Sequence, residues 1–178
     1  MHILRIVPFS VDSPDLIPHL CLALNGILDL RIKVENIPID FDRVYHPERN
    51  QYHSTELIRG ILDHFPEKDT KILGVTSLDL FIPILTFVFG EAQLNGSVAV
   101  VSSFRLKQKF YGLPPDRNLL KIRLVKEALH ELGHTYGLVH CGFFECVMHS
   151  STSVEWIDLK KADFCPECFR KLEMGGGA

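Results

Sequence analysis

The chain has 178 residues, 46% of them hydrophobic and 23% charged, which is enough to bury one core without covalent staples. Lys plus Arg number 19 against 22 Asp plus Glu, a formal charge of −3, and this balance excludes a general polyanion binder. The longest nearly apolar run, Leu80 to Phe89, is interrupted by Pro83 and is too short to span a bilayer. The N-terminus, Met1 to Pro8, lacks the charged start, long apolar stretch and small-residue cleavage site of a secretion signal. The expectation is a soluble cytoplasmic protein with neither nucleic acid nor membrane among its partners.

Strand-like and helix-like segments alternate over the first hundred residues. His2 to Val7 is a short apolar run ended by Pro8. Ser13-Pro14 offers an N-cap and a first-turn proline for a helix to Asn25, where Asn25-Gly26 supplies a stop. Leu30 to Val34 alternates with period two and reads as a half-buried strand, whereas Pro38 to Tyr52 is polar and reads as a loop. Ser54 to Phe65 carries Leu57, Ile58, Ile61, Leu62 and Phe65 on one helical face. Lys71 to Thr76, Phe87 to Ala92 and Ser97 to Ser102 are further strands, with a turn at Asn95-Gly96. Asp116 caps a long helix running to about Tyr136. This order gives an α/β (α+β) class: a mixed, mostly parallel sheet with helices packed on it. No internal repeat is present, and the Gly175-Gly176-Gly177 tail reads as frayed.

The chemistry concentrates where the long helix ends, in His130-Glu131-Leu132-Gly133-His134-Thr135-Tyr136-Gly137-Leu138-Val139-His140. His130 and His134 are four residues apart, so they project from one helix face and can reach a single ion. Gly137 permits a left-handed turn that swings His140 back toward that ion. Three imidazoles with one open position is the coordination of catalytic zinc. Zinc lowers the pKa of its bound water from 15.7 toward about 7, and Glu131 is placed to take the proton and pass it to a leaving amine. HExxH alone arises by chance about once in 8,000 positions at even composition; Gly137 and His140 bring this to roughly one in three million. The bland alternative, a helix with merely packed or surface histidines, leaves His, Glu and His on an otherwise apolar helix without a reason.

A second constellation is Cys141-x4-Cys146 followed, after eighteen residues, by Cys165-Pro166-Glu167-Cys168. In a reducing compartment these four read as a closed structural zinc site that staples the C-terminal segment, for a total of two zinc ions. The competing readings are two fortuitous thiol pairs and a redox CxxC; redox motifs sit near the start of a βαβ unit, unlike this pair. Cys21, in an apolar helical stretch, is expected to be a buried thiol.

HExxHxxGxxH followed by Met148 resembles the signature of the metzincin clan of zinc metallopeptidases, and the cysteine pattern makes the chain similar to the archaemetzincin family in particular. The segments Gly74-Val75-Thr76, Asp79-Leu80-Phe81 and Phe87 to Ala92 resemble that family too. The resemblance implies a single metzincin-like catalytic domain over 1–178. It has a twisted mixed sheet and active-site helix in 1–137, with a Met-turn and four-cysteine zinc site in 138–178. His130, His134 and His140 would bind the catalytic zinc and Glu131 would be the general base. Met148 would form an apolar floor under the histidines, and Cys141, Cys146, Cys165 and Cys168 would hold the second zinc. A peptide or small protein would lie against an edge strand, placed at Phe87 to Ala92.

The function expected is therefore hydrolysis of peptide bonds, an aminopeptidase being one form of it. With the sheet starting at His2 and no preceding prodomain, short substrates are favoured over folded proteins. The alternative is a zinc-binding peptide-recognition module with little or no turnover, against which an intact Glu131 argues. A nucleic-acid-binding zinc protein lacks the basic stripe it would need. Tyr136 is expected to point away from the cleft, Tyr111 has no assigned place, His149 reads as a solvated turn residue, and His46 and His53 as surface residues. Oligomeric state is not encoded in these patterns.

Overall fold

The computed structural model describes residues 3–65 and 70–175. In chain order the first half forms β1 (Ile3–Pro8), α1 (Leu16–Leu28), β2 (Arg31–Val34), the single-turn α2 (Phe41–Val44), β3 (Tyr45–His46), β4 (Gln51–His53) and α3 (Ser54–His64). Then come β5 (Lys71–Thr76), β6 (Leu80–Phe81), β7 (Gly90–Ala92), β8 (Val98–Ser102), two 3-10 turns, α4 (Arg117–Thr135), α5 (Val154–Leu159) and α6 (Pro166–Gly175). Five strands make the main sheet in the order β2-β1-β5-β8-β7, parallel except for β7, which runs antiparallel to β8. A smaller sheet, β3-β4-β6, stands beside it, and Val88 bridges to Leu80 in that second sheet.

Period-two alternation distributes the sheet's side chains to two faces. Leu4 and Ile6 of β1, Leu73 and Val75 of β5, and Ala99 and Val101 of β8 pack with Leu20 and Leu24 of α1 and Leu124, Ala128 and Leu132 of α4. Val7, Ile72, Val98 and Val100 point to the other face, against Leu57 and Ile61 of α3. Covered on both faces, β8 is buried along its whole length, which is why it reads as a continuous Val/Ala run. No helix among the described residues is long and apolar enough to cross a membrane.

Several elements depart from the sequence reading. α1 runs through Asn25-Gly26 to Leu28, because Leu24 and its neighbours are held by the core; it stops at Asp29, whose φ of 46° is left-handed. Its N-cap position is Asp15 rather than Ser13, and Ser13 contributes only its carbonyl, to the Leu16 N–H. β2 is an exposed edge rather than a half-buried strand, since only β1 pairs with it and Val34 is 50% exposed. The polar segment 38–52 is not a plain loop: it holds α2 and a hairpin closed by the Tyr45–Tyr52 ring contact at 5.1 Å. The strand expected over Phe87 to Ala92 is regular only at Gly90–Ala92, though it does occupy a sheet edge. His2, Gly176 and Gly177 lie outside the described residues, and Gly175 closes α6.

Candidate active site and cysteine cluster

Helix α4 carries most of the site. Asp116 caps it by accepting from the Leu119 N–H at 2.9 Å, and its inner face packs on β8 and β5, which fixes the rotation of every residue that follows. The helix ends in two backbone bonds, Gly137 N–H to His134 O at 2.9 Å and Leu138 N–H to Gly133 O at 3.0 Å. This is the Schellman pattern, and it requires the left-handed φ of 86° that Gly137 adopts. The reversal returns His140 to the helix face, so that the ring centroids of His130, His134 and His140 lie 4.7–5.3 Å apart.

The three imidazoles offer one donor atom each, all within 4.8 Å of one another. Backbone carbonyls fix two of the rings: His130 Nδ1 donates to Val147 O at 2.8 Å and His134 Nδ1 donates to Leu138 O at 2.7 Å. A carbonyl accepts only, so the lone pair in each neutral ring is at Nε2, and these two Nε2 atoms face each other at 3.1 Å. Burial pushes all three histidines below the usual imidazole range, His130 furthest, and the Lys160 ammonium works in the same direction. Neutral rings with converging lone pairs are a donor set for a cation such as zinc.

Glu131 is 6% exposed, and burial followed by the neighbouring Glu127 raises its carboxyl well above the usual carboxylate range. Its side chain lies so close across β7 that a Cβ on Gly90 would fall 2.6 Å from Glu131 Cγ and 2.8 Å from Oε1. Met148 is fully buried beneath the helix, and Gly133 makes room for it: a Cβ there would stand 2.4 Å from the Met148 Sδ. A cleft of about 330 Å³ opens above these residues. Leu85 to Gly90 form one wall, Ser150 to Thr152 the other, and Glu127, His130, Glu131 and His140 line the interior.

The four cysteines Cys141, Cys146, Cys165 and Cys168 also meet, with their Sγ atoms within 4.8 Å of one another. All are free thiols, the Cys141 and Cys165 sulfurs being 3.8 Å apart. The Phe143 N–H points at Cys141 Sγ and the Cys165 N–H at Cys146 Sγ, both at 3.4 Å. Burial opposes ionisation of Cys165, but the Cys168 backbone and the surrounding thiols outweigh it and lower its pKa to about 7. Cys141 N–H bonds to Met148 O at 2.9 Å, which couples this cluster to the residue packed at Gly133 of α4.

Other residues singled out in the sequence fall outside the cleft interior. The Tyr136 ring lies under the Lys71 ammonium at 4.7 Å, and Tyr111 donates its hydroxyl to Arg105 O. His149 is partly exposed and stacked on Trp156 at 5.7 Å, and His46 is exposed. His53 is partly exposed, with its ring stacked on Phe81 at 5.2 Å and its Nε2 buried. Cys21 is half-buried on α1, and burial pushes its thiol up. Sequence reasoning missed Gly90, Gly133 and the buried ion pair of Glu127 with Lys160 at 3.0 Å. A glycine inside the HExxH motif and a carboxylate four residues before Glu131 were the available signals.

Comparison with known proteins gives the family of the chain. The model of peptidase family M54 matches residues 25–174. An archaemetzincin of Methanocaldococcus jannaschii is 42% identical over 85% of this chain and 80% of its own length; one from Pyrococcus abyssi is 37% identical over 97% and 95%. Among solved structures, the archaemetzincin of Methanopyrus kandleri superposes with a TM-score of 0.85 at 34% identity, covering 98% of this chain and 94% of that one. A zinc-dependent peptidase from Methanocorpusculum labreanum gives 0.85 at 29% identity, covering 95% and 99%. The chain belongs to peptidase family M54, the family of the archaemetzincins.

Proposed function

We propose that this chain is a zinc-dependent peptidase in which His130, His134 and His140 hold the catalytic zinc and Glu131 is the general base. The observation that carries the reading is the pinning of His130 and His134 through Nδ1, which leaves converging Nε2 lone pairs beside a buried carboxylate in an open cleft. Zinc held there supplies a Lewis acid that acidifies water and polarises a peptide carbonyl. Glu131 accepts the water's proton and returns it to the departing amine nitrogen; beside a cation its carboxyl ionises more readily than burial alone allows. Met148 supports the histidines from below without offering a competing polar atom. An extended peptide adds to β7 at the sheet edge, so that backbone pairing holds it without fixing its sequence.

In the same reading Cys141, Cys146, Cys165 and Cys168 close around a second, structural zinc, and such thiolates fit a reducing cytoplasm. The segment after residue 137 belongs to one catalytic unit with the rest, since Val147, Val154, Ile157 and Phe164 enter the main core. A Glu131→Gln variant tests the assignment. Cleavage of peptides is expected to fall by at least about 1,000-fold with zinc content and peptide binding retained. Turnover within tenfold of wild type would remove Glu131 from the mechanism, and a wild type that binds peptides without cleaving them would make the cleft a recognition site.

A further inference from the structure

The last turn of a helix has carbonyls that the helix itself cannot satisfy, and each needs a donor from elsewhere. At the end of α4, Leu132 O accepts from the Thr135 hydroxyl at 2.7 Å and from the Tyr136 N–H at 3.2 Å. Gly133 O accepts from the Leu138 N–H at 3.0 Å and His134 O from the Gly137 N–H at 2.9 Å. Thr135 O is the carbonyl this reversal leaves over. Among the described residues its donor is Lys71 Nζ at 2.8 Å, a side chain from the start of β5.

Lys71 does more than cap. The same ammonium donates to Gly96 O at 2.7 Å, in the turn between β7 and β8, and lies over the Tyr136 ring at 4.7 Å. That turn touches the helix end directly as well: Asn95, left-handed at a φ of 53°, donates its N–H to His134 O at 2.9 Å. Burial pushes Lys71 below the usual lysine range, and no neighbouring carboxylate offsets it. A partly desolvated ammonium is held here by two carbonyls and a ring, at the negative end of the helix dipole. The histidines differ in how much they need this tie. Backbone carbonyls fix the rings of His130 and His134, whereas His140 is exposed and its ring has no hydrogen bond among the described residues. His140 is therefore placed by the reversal at Gly137 and by what holds that reversal to the sheet.

We propose that Lys71 is a positioning residue for the histidine cluster: by tying Thr135 O of α4 to Gly96 O of the β7–β8 turn it holds the reversal that carries His140, and so sets how tightly the three histidines bind zinc. This rests on the reading of His130, His134 and His140 as the catalytic zinc site. Lys71 acts through the backbone and touches neither metal nor substrate. A site whose turn is open part of the time binds more weakly by the fraction of molecules in which it is closed, so loosening the turn lowers affinity without altering the loaded site.

The test uses the full-length protein and zinc itself. Competition with a chromogenic chelator gives the zinc affinities, and the binding phase missing from His134→Ala is that of the histidine cluster. Lys71→Met is expected to weaken that phase about tenfold and to leave the cysteine phase within about twofold of wild type. With excess zinc, peptide cleavage by the variant is expected to return to within about threefold of wild type. In zinc-free protein, the Gly137 and Leu138 amides are expected to lose at least about tenfold of their protection from hydrogen exchange. Lys71→Gln, the milder change, is read in the same way if Lys71→Met does not fold. A histidine-site affinity within about twofold of wild type overturns the proposal even if the melting temperature falls, because Lys71 would then be a structural residue only. A wild type whose histidines take no zinc overturns the reading on which this rests, and protection at Gly137 and Leu138 then decides alone whether Lys71 holds the turn.

Discussion

Gly133 has a task that no helix propensity explains, since glycine in a helix interior is unfavourable by about 1 kcal/mol relative to alanine. It stands in α4 between His130 and His134, and a Cβ would meet Met148 Sδ at 2.4 Å and Phe164 Cε1 at 3.2 Å. Met148 and Phe164 are both buried. Gly133→Ala should therefore destabilise the fold by about 1–3 kcal/mol in denaturant titration despite alanine's better helix propensity. An alanine variant as stable as wild type would show that the Met148 side chain is free to move. At this scale the histidine motif was legible because it rests on the helix period alone, which places His130 and His134 on one face in any helix. The demands on Gly133 and Gly90 were not legible, because the atoms they must avoid arrive from other segments, Met148 in one case and Glu131 with Val100 in the other.

At the scale of elements, helix α4 is fastened to the C-terminal segment by charged groups on three of its residues. Arg123 forms two bonds to the Asp158 carboxylate at 2.7 and 2.6 Å, Lys126 donates to Ile157 O and Asp158 O, and Glu127 pairs with Lys160. The last pair is almost fully buried, with side chains 4% and 1% exposed. Burial raises the Glu127 carboxyl, and the Lys160 ammonium partly restores its charged form. Lys160→Met strands that carboxylate and should cost about 3–5 kcal/mol in denaturant titration, while adding Glu127→Gln should recover part of the loss. A cost below about 1 kcal/mol would show that the pair does not fasten these helices.

A second tie joins α1 to α4 at the surface. Asp15 bonds to Lys121 and Arg117, and these partners hold its pKa down from 3.8 to about 2. Because the folded value is the lower one, the stabilisation is fully present above pH 3.8 and fades as pH falls toward 2. The difference in melting temperature between wild type and Asp15→Asn should shrink across that window; a difference that grows on acidification would contradict the assignment. Helix α3 was readable because its apolar periodicity matches the face it buries, and strand β5 because its short, mostly apolar run is buried on both faces. The hairpin of β3 and β4 was not, since it is made by the Tyr45–Tyr52 cross-strand contact inside a stretch of turn-forming and charged residues.

For the whole molecule, two donor clusters made from one stretch of chain organise the C-terminal quarter. His140 and Cys141 are adjacent in sequence yet serve different clusters, so the turn at Gly137 fixes both at once. Met148 is then tied to both, buried against Gly133 between His130 and His134 and bonded through its carbonyl to the Cys141 N–H. The order of strands and helices and both clusters were readable from spacing, whereas α5 and α6 were not, because their few apolar residues complete the main core rather than form their own. The central claim is that the histidines and cysteines are separate zinc sites of different kinds. Zinc per chain, measured by mass spectrometry on protein purified without chelator, tests it most directly for wild type and His134→Ala. The account gives two zinc ions in the wild type, one for each cluster, and one in the variant. An equal zinc content in the two proteins would contradict it.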